Sequence, residues 1–345
     1  MQAQHVTFVI ATYKRVEALK CTLQSIQLQD HEDWTALVIG DCCGDETYET
    51  IRSFGESRFR YYNFPERFGE QSGPNSVGLA LATGDFISFL NHDDLLLRDH
   101  LVYSLDQMKA HGTDFFIGES ANATSLQRDE DGAIVPVFTA ILPAEKEMRC
   151  LIHRDPLVFD PSSFWLVRTP YAKTVGPWRR ATDLWRTSLR DWIMRAWRLG
   201  GKFSFGNRIT GLRFCTHNLR NGAPLYSNTT PEHDYMIERF KTESPEEIRR
   251  FLHQQIEEAS KQTPIQRQRT TPTFRALPLW VYLRNILAEG YLRLGIDPVN
   301  LINQLFGRPK GKLLDQITRR RTGENLLKMQ DLSALARAPD TYRIL

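Results

Sequence analysis

Apolar residues come first in short unbroken runs and later at helical spacing. His5 to Thr12 (HVTFVIAT) has the β-branched composition of a buried strand. Val16, Leu19, Leu23 and Ile26 then recur three or four positions apart with Lys and Gln between them, predicting an amphipathic helix. Trp34 to Gly40 (WTALVIG) repeats the strand pattern and stops at Asp41. A helix is expected from about Asp45, where a carboxylate suits the positive end of the helix dipole. Arg58–Phe64 predicts a third strand, and Gly69–Asn75 a Gly- and Pro-marked loop. Ser76–Ala82 predicts a small-residue helix, and the run after Gly84 a fourth strand. Strand and helix alternate four times before Leu101, which predicts a mostly parallel, doubly wound α/β sheet.

That fourth strand ends abruptly in Asn91, His92, Asp93 and Asp94. Two adjacent carboxylates at the end of a core strand repel each other and resist desolvation, so they should reach a solvent-filled cleft or bind a cation. In open α/β sheets ligands sit beyond the carboxyl ends of the strands. An acidic cluster there suits Mg²⁺ or Mn²⁺, which take carboxylate oxygens and bridge to phosphates. The competing reading is that Asp93 or Asp94 only caps the next helix.

Farther along, Leu101–Met108 predicts a helix and Asp114–Gly118 a strand, and Asn122–Pro143 is loop-rich around the charged turn Arg128–Gly132. DPSSFWLVRTPYAKTVGPW predicts a strand, a short helical step and a Gly-Pro-Trp turn. Leu189–Leu199 predicts a helix closed by Gly200-Gly201, and Lys202–Thr210 a late strand. Beyond Pro231 the strand signal stops. Glu232–Ala259 is a charged helical pattern and Lys261–Thr273 a Gln/Thr/Pro-rich joint. Leu277–Leu305 is apolar with interspersed arginines, and Arg308–Arg321 is basic. The expected organisation is a catalytic-type domain over 1–230, divided near 118 into nucleotide-binding and acceptor halves. A helical C-terminal region, 231–345, follows with a hinge near 261–273. That region reads either as a packed or oligomerising helical cap or as an element lying on an anionic membrane surface.

Composition narrows the classes. Lys+Arg 44 against Asp+Glu 41 argues against a nucleic-acid-binding protein. Five cysteines, with Cys42 and Cys43 adjacent and no CxxC spacing, indicate neither a disulfide framework nor a zinc site; the adjacent pair reads as small buried filler. The N-terminal residues carry no signal-peptide pattern, and no apolar run is long enough to span a bilayer. A cytoplasmic setting, with peripheral contact at the inner membrane face as an option, is the expectation.

Four segments occur in a telling order: VIATYKR, GDCCGDET, PNSVGLALATGDFISFLNHDD and SLRDWIMRAWRLGGKF. Together they resemble an inverting family 2 glycosyltransferase of the A-type fold, over roughly Val6 to Arg220. The resemblance implies a nucleotide-diphosphate sugar donor, a UDP-sugar first, a divalent Mn²⁺ or Mg²⁺, and a carbohydrate or lipid-linked acceptor. It places Thr12, Tyr13 and Arg15 against the nucleotide, and makes Asp41 a reader of the base. Asn75, Asn91 and His92 border the donor, Asp93 and Asp94 hold the metal with His217 (in RFCTHNLR), and Asp191 is the catalytic base. The pattern departs from the family at Asn91 for the first Asp of Asp-x-Asp, Cys42-Cys43 for Gly-Ser, Pro74 for Arg, and Arg190 for Glu or Gln.

The chemistry asks for these residue types. Departure of a diphosphate develops negative charge that a cation neutralises without proton transfer. The attacking hydroxyl needs a carboxylate base within hydrogen-bond reach. Asp41 and Asp191 also have plain readings as helix-terminal carboxylates, His217 as a structural histidine, and Trp178, Trp185 and Trp192 as sugar platforms or core. Asn91 and Pro74 keep a second function open, a module that binds a nucleotide sugar or a partner without turnover. A nucleotidyltransferase lacks its Gly-rich, lysine-bearing first loop here, and a dehydrogenase its GxGxxG.

Overall fold

The structure is a computed structural model that describes residues 4–129, 131–143, 162–215, 230–262, 287, 290–294, 296, 298–311 and 343–344. The first half alternates as the periodicity predicts: β1 (Val6–Thr12), α1 (Val16–Gln27), β2 (Trp34–Gly40), α2 (Asp45–Ser53), β3 (Phe59–Asn63), α3 (Ser72–Leu81) and β4 (Phe86–Asn91). These strands pair in parallel in the order β3-β2-β1-β4. Alternation of side chains feeds two cores. Val6, Phe8 and Ile10 of β1 join Leu19, Leu23 and Ile26 of α1 on one face, while Val9 meets Leu79 of α3 on the other. α3 lies so close to the sheet that a Cβ on Gly78 would stand 2.2 Å from Val9 Cγ1, so only glycine fits there. The helix begins four residues earlier than its small-residue run suggests, because Pro74 falls in its first turn, where a missing N–H costs nothing.

The second half mixes directions. β5 (Asp94–Leu96) and α4 (His100–His111) lead into β6 (Phe115–Arg128) and β7 (Ile134–Leu142), then β8 (Trp165–Arg168), α5 (Thr169–Val175), α6 (Ser188–Arg198) and β9 (Phe203–Phe214). β8 runs antiparallel between β4 and β6, and β9 pairs parallel with β6 and antiparallel with β5. The expectation of a loop-rich Asn122–Pro143 is corrected. β6 continues fourteen residues and turns back as β7, with register shifts at Asn122–Ala123 and Ala123–Ser125. Those irregularities break the alternation that would have revealed the hairpin. Cys42 is likewise exposed rather than buried filler, and Cys43 only half-buried.

α7 (Pro231–Thr242) and α8 (Pro245–Gln262) pack on the sheet through a common cluster: Met236, Ile237, Phe240, Ile248 and Leu252 meet Leu95, Phe138, Leu212 and Phe214. Arg249 of α8 pairs with Asp99 at 3.0 Å. A further segment carries α9 (Pro298–Leu305), and β10 (Arg343–Ile344) pairs antiparallel with β3. The 263–273 part of the expected hinge lies outside the described residues.

Candidate active site

Parallel pairing aligns Thr12 with Gly40 and Ala11 with Asn91, so the ends of β1, β2 and β4 open onto one sheet edge. This is where an open α/β sheet binds its ligand. Lys14 (φ 49°) and Cys42 (φ 61°) are the positive-φ non-glycine residues among those described, each two residues beyond one of these strand ends. Backbone held in that costly region clusters at functional sites.

The edge is cross-linked. Thr12, buried, accepts the Asp41 N–H through its carbonyl at 2.9 Å, and the Tyr13 N–H donates to His92 Nδ1 at 3.2 Å. The Arg67 guanidinium lies 4.1 Å from the centre of the Tyr13 ring. Asp41, 5% exposed, accepts the N–H groups of Phe68 (2.5 Å) and Gly69 (2.8 Å), one on each carboxylate oxygen. Burial pushes its carboxyl above the ordinary range, against those two hydrogen bonds and the Arg67 charge. Asp41 therefore organises the loop that carries Arg67. Asn75 is buried in the first turn of α3.

Asp93 and Asp94 have different fates. The Asp93 carboxylate meets Arg15 Nη1 at 2.5 Å and keeps 20% of its side chain exposed, whereas Arg15 is nearly buried. Asp94 turns inward: its Oδ2 accepts from Asn91 Nδ2 at 2.8 Å and from the Ser163 hydroxyl, and it is 2% exposed. Asp94 thus commits its Oδ2 to partners inside the protein, whereas the expected metal role needs a carboxylate that faces the cleft. Asn91 uses its amide N–H to hold Asp94, and Ser163 completes the lock by accepting the Asn91 N–H at 3.1 Å. Burial, with the Asp93 charge second, pushes Asp94 up to about 7. A carboxyl raised this way favours the fold while protonated and loses that advantage as pH rises from about 4 to about 7. Asp94→Asn, which can accept the same two hydrogen bonds without a charge, should therefore gain stability relative to the parent between pH 5 and pH 8. Urea unfolding of both proteins at the two pH values checks it; an unchanged difference would mean that Asp94 is ionised in the fold throughout.

Asp191 stands in the first turn of α6, whose N-cap is Thr187. Arg195 Nε reaches its Oδ2 at 2.8 Å and Arg179 Nη1 its Oδ1 at 3.5 Å. The cation expected beside it, Arg190, is instead buried at 1% exposure. Helix geometry gives the reason: residue i+4 shares a face with i, and residue i−1 does not. Trp178 and Trp192 stack with centroids 5.4 Å apart in the core, so they are not sugar platforms, and Trp185 Nε1 donates to the Arg308 carbonyl at 2.8 Å. His217 lies outside the described residues, as do 144–161 of the expected acceptor region.

Two functional positions escaped sequence reasoning. Glu70 accepts the Ala181 N–H and the Ser188 hydroxyl, each at 2.8 Å, so the loop after β3 holds the start of α6 and places Asp191. Its carboxyl is raised by burial. His233, fully buried in α7, donates from Nε2 to the Asp93 carbonyl at 3.0 Å, and burial lowers its basicity. Both links join residues more than a hundred positions apart, and no local pattern announces either.

Residues 7–172 match Glycosyl transferase family 2. Over these residues, just under half of the chain, the sequence is similar to the family 2 glycosyltransferases. The chain is 25% identical over 113 residues to the Escherichia coli UDP-Glc:alpha-D-GlcNAc-diphosphoundecaprenol beta-1,3-glucosyltransferase WfgD, covering 33% of this chain and 44% of that one. It is 30% identical over 95 residues to the Campylobacter jejuni GalNAc(5)-diNAcBac-PP-undecaprenol beta-1,3-glucosyltransferase, covering 27% and 31%. The matches span less than half the length of these relatives. The fold resembles S. aureus TarS 1–349, solved in complex with UDP-GlcNAc, with a TM-score of 0.50 at 13% identity over 78% of this chain and 76% of that one. It is the A-type fold that the four segments implied.

Among the described residues no three His, Cys, Asp or Glu side chains converge on a metal site. A divalent ion of the Mg²⁺ type needs no such cage, since it is held by one or two carboxylates and the substrate's phosphates. The partly exposed Asp93 carboxylate fits that donor set.

Proposed function

We propose that this glycosyltransferase moves a sugar, with inversion, from a nucleoside-diphosphate sugar to a hydroxyl of a carbohydrate or lipid-linked acceptor, in polysaccharide or glycoconjugate synthesis. The observation that carries the reading is the convergence of Tyr13, Asp41, Arg67 and Asp93 at one parallel-strand edge, with Asp191 tied to it through Glu70. A UDP-sugar is the first donor to test, because the Escherichia coli relative is named for UDP-Glc and both bacterial relatives for undecaprenol-linked acceptors. Asp93 would hold the divalent ion, which supplies a Lewis acid for the departing diphosphate. Arg15, paired with the Asp93 carboxylate at 2.5 Å, adds a cation to the same strand edge. Asp191 takes the hydroxyl proton. Because a single carboxylate base acts through the acceptor, the anomeric centre inverts.

Nucleotide recognition gives a direct test. UDP should raise the melting temperature by mass action, and Asp41→Ala should weaken UDP binding about ten- to a hundredfold by releasing two charge-assisted hydrogen bonds in the Phe68–Gly69 loop. Unchanged affinity in calorimetry would remove Asp41 from the nucleotide site. The reading without turnover is favoured by the neutral Asn91 and by the Arg15–Asp93 pair. Metal-dependent donor hydrolysis in the absence of acceptor would dismiss it.

A further inference from the structure

The main chain behind the two adjacent aspartates is held from opposite sides. The Asp93 carbonyl accepts the Nε2–H of His233 at 3.0 Å, and the Asp94 carbonyl accepts the Thr22 hydroxyl at 3.0 Å. A carbonyl only accepts, so the imidazole carries its hydrogen on Nε2. Each carbonyl lies in a planar peptide, and the two bonds fix the peptide planes on both sides of Asp94. From that backbone Asp94 points inward, and Asp93 keeps its carboxylate partly open to the cleft. The supports are themselves packed. His233 is fully buried in the first turn of α7, with its ring centroid 4.0 Å from that of Phe214 in β9. β9 pairs with β5 through Arg213 and Asp94. Thr22, fully buried in α1, follows Cys21, whose thiol donates to Asp234 of α7 at 3.3 Å.

A Mg²⁺-type ion asks more of a carboxylate than charge. Its ligands must stand near octahedral positions at about 2.0–2.1 Å, so a carboxylate swung out of place is a poor ligand. Groups that orient a metal ligand therefore carry about ten- to a hundredfold in metal affinity. Asp94 cannot make good a displaced neighbour, because it spends its Oδ2 on Asn91 and Ser163. We propose that His233 is a positioning residue for the divalent ion, holding the Asp93 main chain so that its carboxylate faces the ion. The role rests on Asp93 being the metal carboxylate, as proposed above. It makes α7, which lies beyond the family match at residues 7–172, part of the metal site. A histidine that only filled the core would act through its volume, whereas a positioning histidine acts through its Nε2–H.

Calorimetric titration of the UDP-loaded full chain with Mn²⁺ tests it. His233→Phe keeps a ring against Phe214 but has no hydrogen to donate. It should weaken Mn²⁺ binding about tenfold or more, while UDP affinity without metal stays at the parent's value. His233→Gln, whose amide can donate from nearly the same place, should recover most of the loss. Met236→Ala opens a cavity in the same apolar cluster without touching the turn. It should lower the melting temperature and leave Mn²⁺ affinity unchanged. A Phe variant with the parent's Mn²⁺ affinity would overturn the proposal. So would a Met236→Ala variant that loses as much, which would reduce His233 to packing. If the Phe variant does not fold, Thr22→Val decides in its place: it removes the other carbonyl anchor, keeps the side-chain shape, and should also weaken Mn²⁺ binding. The parent's affinity there would overturn the proposal. Asp93→Ala separates the two readings. If it too keeps the parent's Mn²⁺ affinity, the metal assignment fails and the positioning role with it; if it alone loses affinity, only the positioning role fails.

Discussion

Asp191→Asn is expected to leave donor affinity nearly unchanged and to cut turnover by two or more orders of magnitude. The amide keeps the size of the carboxylate and an oxygen for Arg195 Nε, 2.8 Å away. It removes only the basicity needed to take a proton from the attacking hydroxyl. A hundredfold loss corresponds to about 2.7 kcal/mol of transition-state stabilisation. The plain alternative, a helix cap, is already supplied by Thr187, which accepts the Arg190 N–H at 3.3 Å. Arg195 is itself anchored on the Val175 and Pro177 carbonyls, so the pair is oriented from behind and Asp191 sits in a fixed place. Single-turnover kinetics beside UDP calorimetry separate the roles. Sugar transfer near the parent rate would make Asp191 a partner of Arg195 only, and the base would then be sought at the exposed Asp183.

Asp93→Ala should abolish the Mn²⁺-dependent part of donor binding. Asp94 cannot substitute, because its carboxylate is locked to Asn91 and Ser163. Losing a charged ligand costs on the order of 1.5–3 kcal/mol, so affinity for UDP in the presence of Mn²⁺ should fall at least about tenfold. Without the metal the variant should bind UDP like the parent. The alanine also leaves the nearly buried Arg15 without this carboxylate, which costs stability. Asp93→Asn, which retains a hydrogen-bond acceptor for Arg15, guards against mistaking unfolding for lost metal. The β4 core before it, Phe86 to Leu90, stays intact in both variants. If either folded variant binds UDP and Mn²⁺ as the parent does, Asp93 is not the metal ligand.

Much of this protein is legible in one dimension. Unbroken apolar runs predicted β1 and β2, and helical spacing predicted α1, nearly residue for residue, because the central strands are buried on both faces and the helix on one. Strand ends followed from the same logic, and with them the edge where Thr12, Asp41 and Asn91–Asp93 meet. What periodicity could not supply is the partner across the fold. The β6–β7 hairpin was hidden by its register shifts, and Arg195 rather than Arg190 faces Asp191 because of helical phase. The family resemblance set Asp93 ahead of Asp94, but the reason Asp94 turns inward lies in Ser163, sixty-nine residues away. Glu70 and His233 act only through contacts with Ser188 and Asp93 that chain folding creates. Side-chain type and spacing determined the strands and the chemistry they could bear. Long-range packing decided which carboxylate faces the cleft, because desolvation and hydrogen bonding depend on neighbours that local sequence does not specify.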